Sequence, residues 1–533
     1  MADRLQSIAA ERDALRNENR TLGRDRAALR REVESLKRDL AAAAAARDAA
    51  VIENASLRRR LSVAAPRARA DGEEDEDDDE RPEVVNWSGT HACRPVAVHA
   101  PETVAEVEAL VARYHAAGEK LRPCGGALSP NGLALSDGAL LNLALLDDIV
   151  AVDADEKTCT VRCGARVEQV LDALAPHGLT LENLASIAQQ QIGGFVGAGA
   201  HGTGASLPPV DETVLSLKVV TPGRGIVTVN RGDPLFPLFT VSLGLLGVAV
   251  EATLRCVPKH DLRERVEVLT RADAIARHAA YLRDNRHVRF MWIPHVDAVV
   301  VVTNNPTLGG ELGEGQGLAC AVPEAERVAP LRDALRSCGG DGEGLNFAQL
   351  RDACLAAAPL DLPHIQRLNF AEAEFWRRSQ GTDVADSSKK LNFECGGSQW
   401  VNECCFPCGT LAKPDGRDMA YMAELLELIE AGGVPAPAPI EQRWTSGSSS
   451  ALSPAASAEP GALFSWVGII MYLPTDDVEQ RRRITTAFDA YKRACEARLW
   501  PKFGAVEHWA KVEAATPEAA AIARDRLRAR FGG

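Results

Sequence analysis

Apolar positions fall into three kinds of spacing along this 533-residue chain. Near the N-terminus Leu15, Leu22, Leu29 and Leu36 recur every seven residues, with Ile8 before them and Ala43, Ala50 and Leu57 after. The companion seam holds Leu5, Arg12, Asn19, Arg26, Val33, Leu40, Arg47, Asn54 and Leu61. This heptad pattern predicts a coiled coil over residues 1–65, weakened by its seam arginines and carrying asparagines of the kind that set register. Its expected role is self-association or capture of a partner helix. Further on the spacing becomes that of globular helices. Val104, Val107, Val111 and Tyr114 share one face, Thr103 and Glu106 form a capping box, and Gly118 suits the stop. Val167, Val170, Leu171 and Leu174 repeat the arrangement, ended by Gly178, and Met422, Leu425, Leu426 and Ile429 do so again. The third kind is the short apolar run of a buried strand, at residues 250–254, 298–302 and 464–473.

Each of the first two globular helices precedes a glycine-rich turn. The first turn reads RPCGGALSPNG and contains Arg122, Gly125, Gly126, Ala127, Leu128 and Ser129. The second contains Gly193, Gly194, Gly197, Gly199, Gly202 and Gly204, with His201 and Thr203 among them. Glycine at this density lets backbone N–H groups approach a bulky anion that side chains would keep away. A linker would not carry Ile187, Ile192, Phe195 and Val196 in the same run. No Lys-Ser/Thr follows the glycines, and their spacing is not that of a dinucleotide fingerprint. Two α/β units, each bringing a glycine turn to one place, suit a cofactor with a two-phosphate bridge.

Composition narrows the class. A hydrophobic content of 46% is globular, and no apolar run reaches the ~18–20 residues that a membrane-spanning helix needs. The thirteen cysteines form no framework, which favours free thiols in a reducing compartment. Cys404, Cys405 and Cys408 lack a second ligand pair at zinc spacing, so no metal is expected. The net charge of −14 is concentrated in residues 71–80, where nine of ten are acidic. An acidic linker over 66–85 follows, and it could also attract a basic electron acceptor. The heptads lack the dense basic stretch of a DNA-binding zipper, so nucleic acid is not an expected partner. They are also richer in acids than a transit peptide.

In PIEQRW, Glu441 and Arg443 stand two apart, hence on one face of a strand, among Pro435, Pro437, Pro439, Ile440 and Trp444. In EHWAK the same rule puts Trp509 and Lys511 on one face and His508 on the other. Together NWSGTH (Asn86 to His91), RPCGGALSPNG, ENLASIAQQQIGG, GAHGTGASLPPVDE, APAPIEQRW, FSWVGIIMYLPT and EHWAK resemble the aldonolactone oxidoreductases, within the vanillyl-alcohol-oxidase-type flavoproteins.

The resemblance implies an α+β fold, with a two-part FAD-binding domain over residues 86–261 and a substrate-covering domain over 262–533. It implies FAD held by Arg122, Gly125, Gly126, Ala127, Leu128, Ser129, Ser186, Gly193, Gly194, Gly199, His201, Gly202, Thr203, Gly204 and Val250. Leu128 stands where covalently flavinylated relatives have His, so non-covalent FAD is expected. The implied reaction converts L-galactono-1,4-lactone to L-ascorbate with cytochrome c as acceptor, in the mitochondrial inner membrane or intermembrane space. Glu441 would orient the substrate 2-hydroxyl, and Arg443 and Lys511 would stabilise developing negative charge. Ala185 stands where oxygen-using relatives commonly have Gly, and would bar dioxygen. Ala127 stands where relatives usually have Gly, and their pattern continues past the last residue here. The Ala127 methyl would either crowd the pyrophosphate or be absorbed by a small shift, and the shorter C-terminus implies either weaker flavin retention or a truncated product. An oxygen-using gulono- or arabinono-lactone oxidase and a largely non-catalytic complex I assembly factor stay open as alternatives.

Overall fold

The computed structural model describes residues 81–307, 320, 322–392, 397–511 and 517–531. The coiled coil expected over 1–65, and the acidic linker as far as residue 80, lie outside the described residues.

After a short antiparallel pair, Val84–Val85 with Ala92–Cys93, comes a small parallel sheet. Strands β1 (Ala97–His99), β2 (Leu121–Cys124) and β3 (Ala139–Asn142) lie in the order β1-β3-β2. Helix α1 (Val104–Ala117) joins β1 to β2 and buries Val107, Val111 and Tyr114, the stripe the spacing predicts. The Thr103 hydroxyl accepts from Glu106 N at 3.2 Å, and Gly118 closes the helix at φ 68°. Both groups satisfy backbone that a helix end leaves orphaned.

A five-stranded antiparallel sheet follows. It comprises β4 (Ile149–Asp153), β5 (Thr158–Arg162), β6 (Val214–Thr221), β7 (Gly225–Asn230) and β8 (Val248–Arg255), in the order β7-β6-β8-β5-β4. Helix α2 (Val167–Leu174) and its stop at Gly178 also follow the sequence pattern. One apolar core joins α1, α2 and this sheet through Val107, Val161, Val170, Leu217, Val250 and Leu254.

The largest sheet begins at β9 (Asp261–Leu269). It continues with β10 (His287–Trp292), β11 (Val299–Pro306), β12 (Gly381–Asp386), β13 (Gln399–Thr410), β14 (Lys413–Pro414), β15 (Ile440–Ser446) and β16 (Ala462–Tyr472). Their order is β12-β9-β11-β10-β15-β16-β13-β14, and β17 (Val506–Glu507) pairs with β13. Helix α3 (Arg417–Ala431) covers one face with α4 (Val478–Arg498), packing Met422, Leu425, Tyr491 and Phe488 on Trp444, Val467, Cys404 and Phe406. Cys404, Cys405 and Cys408 are buried free thiols of β13. The opposite face of β13, β15 and β16 looks toward the glycine turns. Among the described residues no helix is long and apolar enough to cross a membrane.

Candidate functional site

A cavity of about 1560 Å³, counting the open space at its mouth, lies between the two glycine segments and the free face of the large sheet. Arg122, Gly125, Gly126, Ala127, Leu128, Ser129, Ala185, Ser186, Gly193, Gly194, His201, Arg443 and Lys511 line it. The two turns therefore do converge on one place.

The glycine run itself differs from the loop expected. Residues Ile192–Gly197 form a short helix, its apolar Ile192, Phe195 and Val196 buried in the core. Gly194 and Gly197 line the cavity, with nothing within 4 Å of where a side chain would start. Gly199, Gly202, Thr203, Gly204 and Val250 do not line it. A side chain on Gly202 would run into Asn183 Oδ1 and Leu184 O, and one on Gly204 would sit 2.6 Å from Arg286 O. Gly204 N donates to Trp444 O at 2.8 Å, and Thr203 O accepts from Asn183 and His287. Gly204 admits a close backbone crossing between the turn and the large sheet, and Gly202 one against the loop at Asn183 and Leu184. The guanidinium of Arg122 is committed to backbone, donating to Leu243 O at 3.0 Å and to Leu133 O. It ties the first turn to the backbone at Leu133 and Leu243.

Strand register builds the other wall. Glu403, Gly468 and Glu441 lie in one row across β13, β16 and β15, and Cys405, Trp466 and Arg443 form the next. The guanidinium of Arg443 bridges two carboxylates, with Nη2 2.9 Å from Glu403 Oε1 and Nε 3.3 Å from Glu441 Oε2. Arg289 Nη1 lies 3.6 Å from Glu441, which is a quarter exposed and stands just outside the cavity lining. His201 stacks on Trp466 at 3.8 Å between ring centroids, with Nε2 3.3 Å from Glu403 Oε1. His508 completes the cluster. Its main-chain N–H bonds Glu403 O at 3.0 Å.

The charge states follow from burial and neighbours. Burial opposes ionisation of Glu403, but Arg443 and His201 hold its carboxyl well below the usual carboxylate range. Burial first, then Arg443, lowers His201. His508 is pushed down to about 3, chiefly by burial, against the pull of Glu403. The site at neutral pH thus holds an ionised Glu403, two neutral imidazoles and the Arg443 cation. Donor atoms of His201, Glu403 and His508 lie within 4.8 Å of one another, yet Arg443 already supplies the cation that the carboxylate needs.

One expectation is corrected. The strand in EHWAK ends at Glu507, and the chain turns, with Lys511 N donating to His508 O at 2.9 Å. A turn breaks the two-residue alternation, so His508 and Lys511 both reach the cavity while Trp509 Nε1 is tied to Leu452 O. Glu403 was missed altogether. Its signal was available, since an isolated carboxylate in the run QWVNECCFPC is costly unless paired.

Comparison with known proteins now bears on this geometry. Residues 95–230 match the family model of an FAD binding domain, and residues 252–524 match that of D-arabinono-1,4-lactone oxidase. Over 459 residues the chain is 45% identical to rice mitochondrial L-galactono-1,4-lactone dehydrogenase 1, covering 84% of this chain and 79% of the rice protein. The chain belongs to the L-galactono-1,4-lactone dehydrogenase family. The Arabidopsis thaliana member is 46% identical over 452 residues, 81% of this chain and 73% of its own length. Among solved structures, a solvent-stable cholesterol oxidase aligns with TM-score 0.59 at 19% identity, over 82% of this chain and 88% of that one. That likeness shows the fold, the FAD-binding architecture of the vanillyl-alcohol and cholesterol oxidases. As a member of the family this chain is an FAD-dependent aldonolactone oxidoreductase.

The residues present fit the flavin. Open space in front of Gly194 and Gly197 is space that a side chain would fill, and a cofactor can use it. Ala127 sits at φ 49°, in the left-handed region that favours glycine. A β-carbon there costs roughly 1–2 kcal/mol, against about 0.5–1 kcal/mol of chain entropy for glycine. Ala127→Gly is therefore expected to raise stability by about 0.5–1 kcal/mol with FAD content kept. Denaturant melts of the holoenzyme check this, and a fall in stability would show that the turn has no strain to relieve.

Proposed function

We propose that this protein oxidises L-galactono-1,4-lactone to L-ascorbate in mitochondria, on the intermembrane-space side, and passes the electrons to cytochrome c. The observation that carries this reading is the Arg443 guanidinium, held beside two carboxylates and lining, with Lys511, a glycine-lined cavity. FAD, which Gly125, Gly126, Gly193 and Gly194 would hold, would supply the hydride acceptor for C2 of the lactone. Glu441 orients the 2-hydroxyl and accepts its proton. Arg443 and Lys511 are fixed cations in a site poor in water, where they stabilise the negative charge that develops. The 2-keto lactone then enolises. The heptad segment serves self-association or the binding of an assembly partner.

Purified holoenzyme should reduce cytochrome c in proportion to the L-galactono-1,4-lactone supplied. Stoichiometric hydrogen peroxide with cytochrome c left oxidised would overturn the acceptor, and no lactone consumption would overturn the activity. The flavin is expected to be non-covalent, because Leu128 lines the cavity without a nucleophilic atom. Acid precipitation should leave the yellow colour in solution; colour in the pellet would refute this.

A further inference from the structure

We infer that Glu403 is a positioning residue for the reaction, acting through Arg443. The inference rests on the lactone-oxidation reading and adds to it a residue outside the Glu441, Arg443 and Lys511 set.

Glu403 and Glu441 flank Gly468 on neighbouring strands of one row. Strands lie roughly 4.8 Å apart, so two carboxylates one strand removed leave a gap about twice that width. Gly468 puts no side chain into it, and Arg443 spans it, with Nε toward Glu441 and Nη2 toward Glu403. A guanidinium is planar, with its donors in a rigid fork. The hydrogen bond from Nη2 to Glu403 sets the direction of that fork, while Glu441 meets the Nε edge as an ion pair at 3.3 Å. Placement of this kind matters, since a misplacement of about 1 Å can cost roughly 10²-fold in rate.

The groups facing Glu403 support an anchor rather than a proton carrier. Arg443 comes from β15, His201 from the second glycine segment, and His508 from the turn after β17. Arg443 and His201 both favour the carboxylate, and the side chain is 4% exposed. Glu441, by contrast, is a quarter exposed and shared with Arg289. The rigid end of the clamp is therefore Glu403, and the end free to meet substrate is Glu441.

The test is a double-mutant cycle on the FAD-loaded full chain. Glu403→Gln keeps the shape of the side chain and removes its charge. It should lower kcat about 30- to 100-fold, change KM for L-galactono-1,4-lactone less than threefold, and keep FAD content. In an Arg443→Ala background the same change should lower kcat less than twofold, because nothing remains to position. Equal factors in both backgrounds, or a wild-type kcat for Glu403→Gln, would overturn the inference. If Glu403→Gln does not accumulate as holoenzyme, Glu403→Asp retains the charge on a shorter arm, and the same non-additivity decides. An inactive wild type would instead refute the lactone-oxidation reading.

Discussion

Glu441→Gln and Arg443→Ala are each expected to lower lactone turnover by about two to three orders of magnitude, the usual cost of removing a group that acts on developing charge. The two variants should differ in stability. Glu441 is a quarter exposed and its partners Arg443 and Arg289 retain other contacts, so Glu441→Gln should melt close to wild type. Arg443→Ala strands the buried Glu403 carboxylate, and breaking such a pair typically costs about 3–5 kcal/mol. Turnover must therefore be referred to bound flavin. Lactone-dependent cytochrome c reduction per FAD measures the effect. Near-normal rates in either variant would remove that residue from the catalytic role.

Ala185→Gly is expected to speed reoxidation of the reduced enzyme by air at least about tenfold, close-packed protein interiors leaving few gaps for a small molecule to enter. Ala185 lines the cavity and is partly buried against the core of the flavin domain. Were Ala185 the gate, its methyl would fill space that dioxygen needs in order to reach a reduced ring. Lactone oxidation should change little. Stopped-flow mixing of lactone-reduced enzyme with oxygenated buffer separates the two steps. Equal reoxidation rates for wild type and variant would show that Ala185 is not the gate, and that its methyl serves packing alone.

Local features were legible from the residues alone. Helix α1 with its Thr103–Glu106 cap, helix α2 with its stop at Gly178, and helix α3 each follow from apolar spacing, because a helix and its caps are set by neighbours a turn apart. The common face of Glu441 and Arg443 follows from the period of a strand. Motif resemblance supplied the flavin, which no spacing by itself specifies. What spacing could not supply is which glycines serve a cofactor and which serve the chain. Gly202 and Gly204 look identical to Gly194 in the sequence, yet Gly202 faces Asn183 and Leu184 in the preceding loop and Gly204 faces Arg286, far along the chain. His508 was misplaced because a turn replaced the strand after Glu507. The run QWVNECCFPC marks Glu403 as a carboxylate in need of a partner, but which partner it has follows only from strand register, which sets residues 403, 468 and 441 side by side across β13, β16 and β15. The sequence determined the elements, their caps and the family. Long-range pairing alone decided that one guanidinium would be held between two carboxylates.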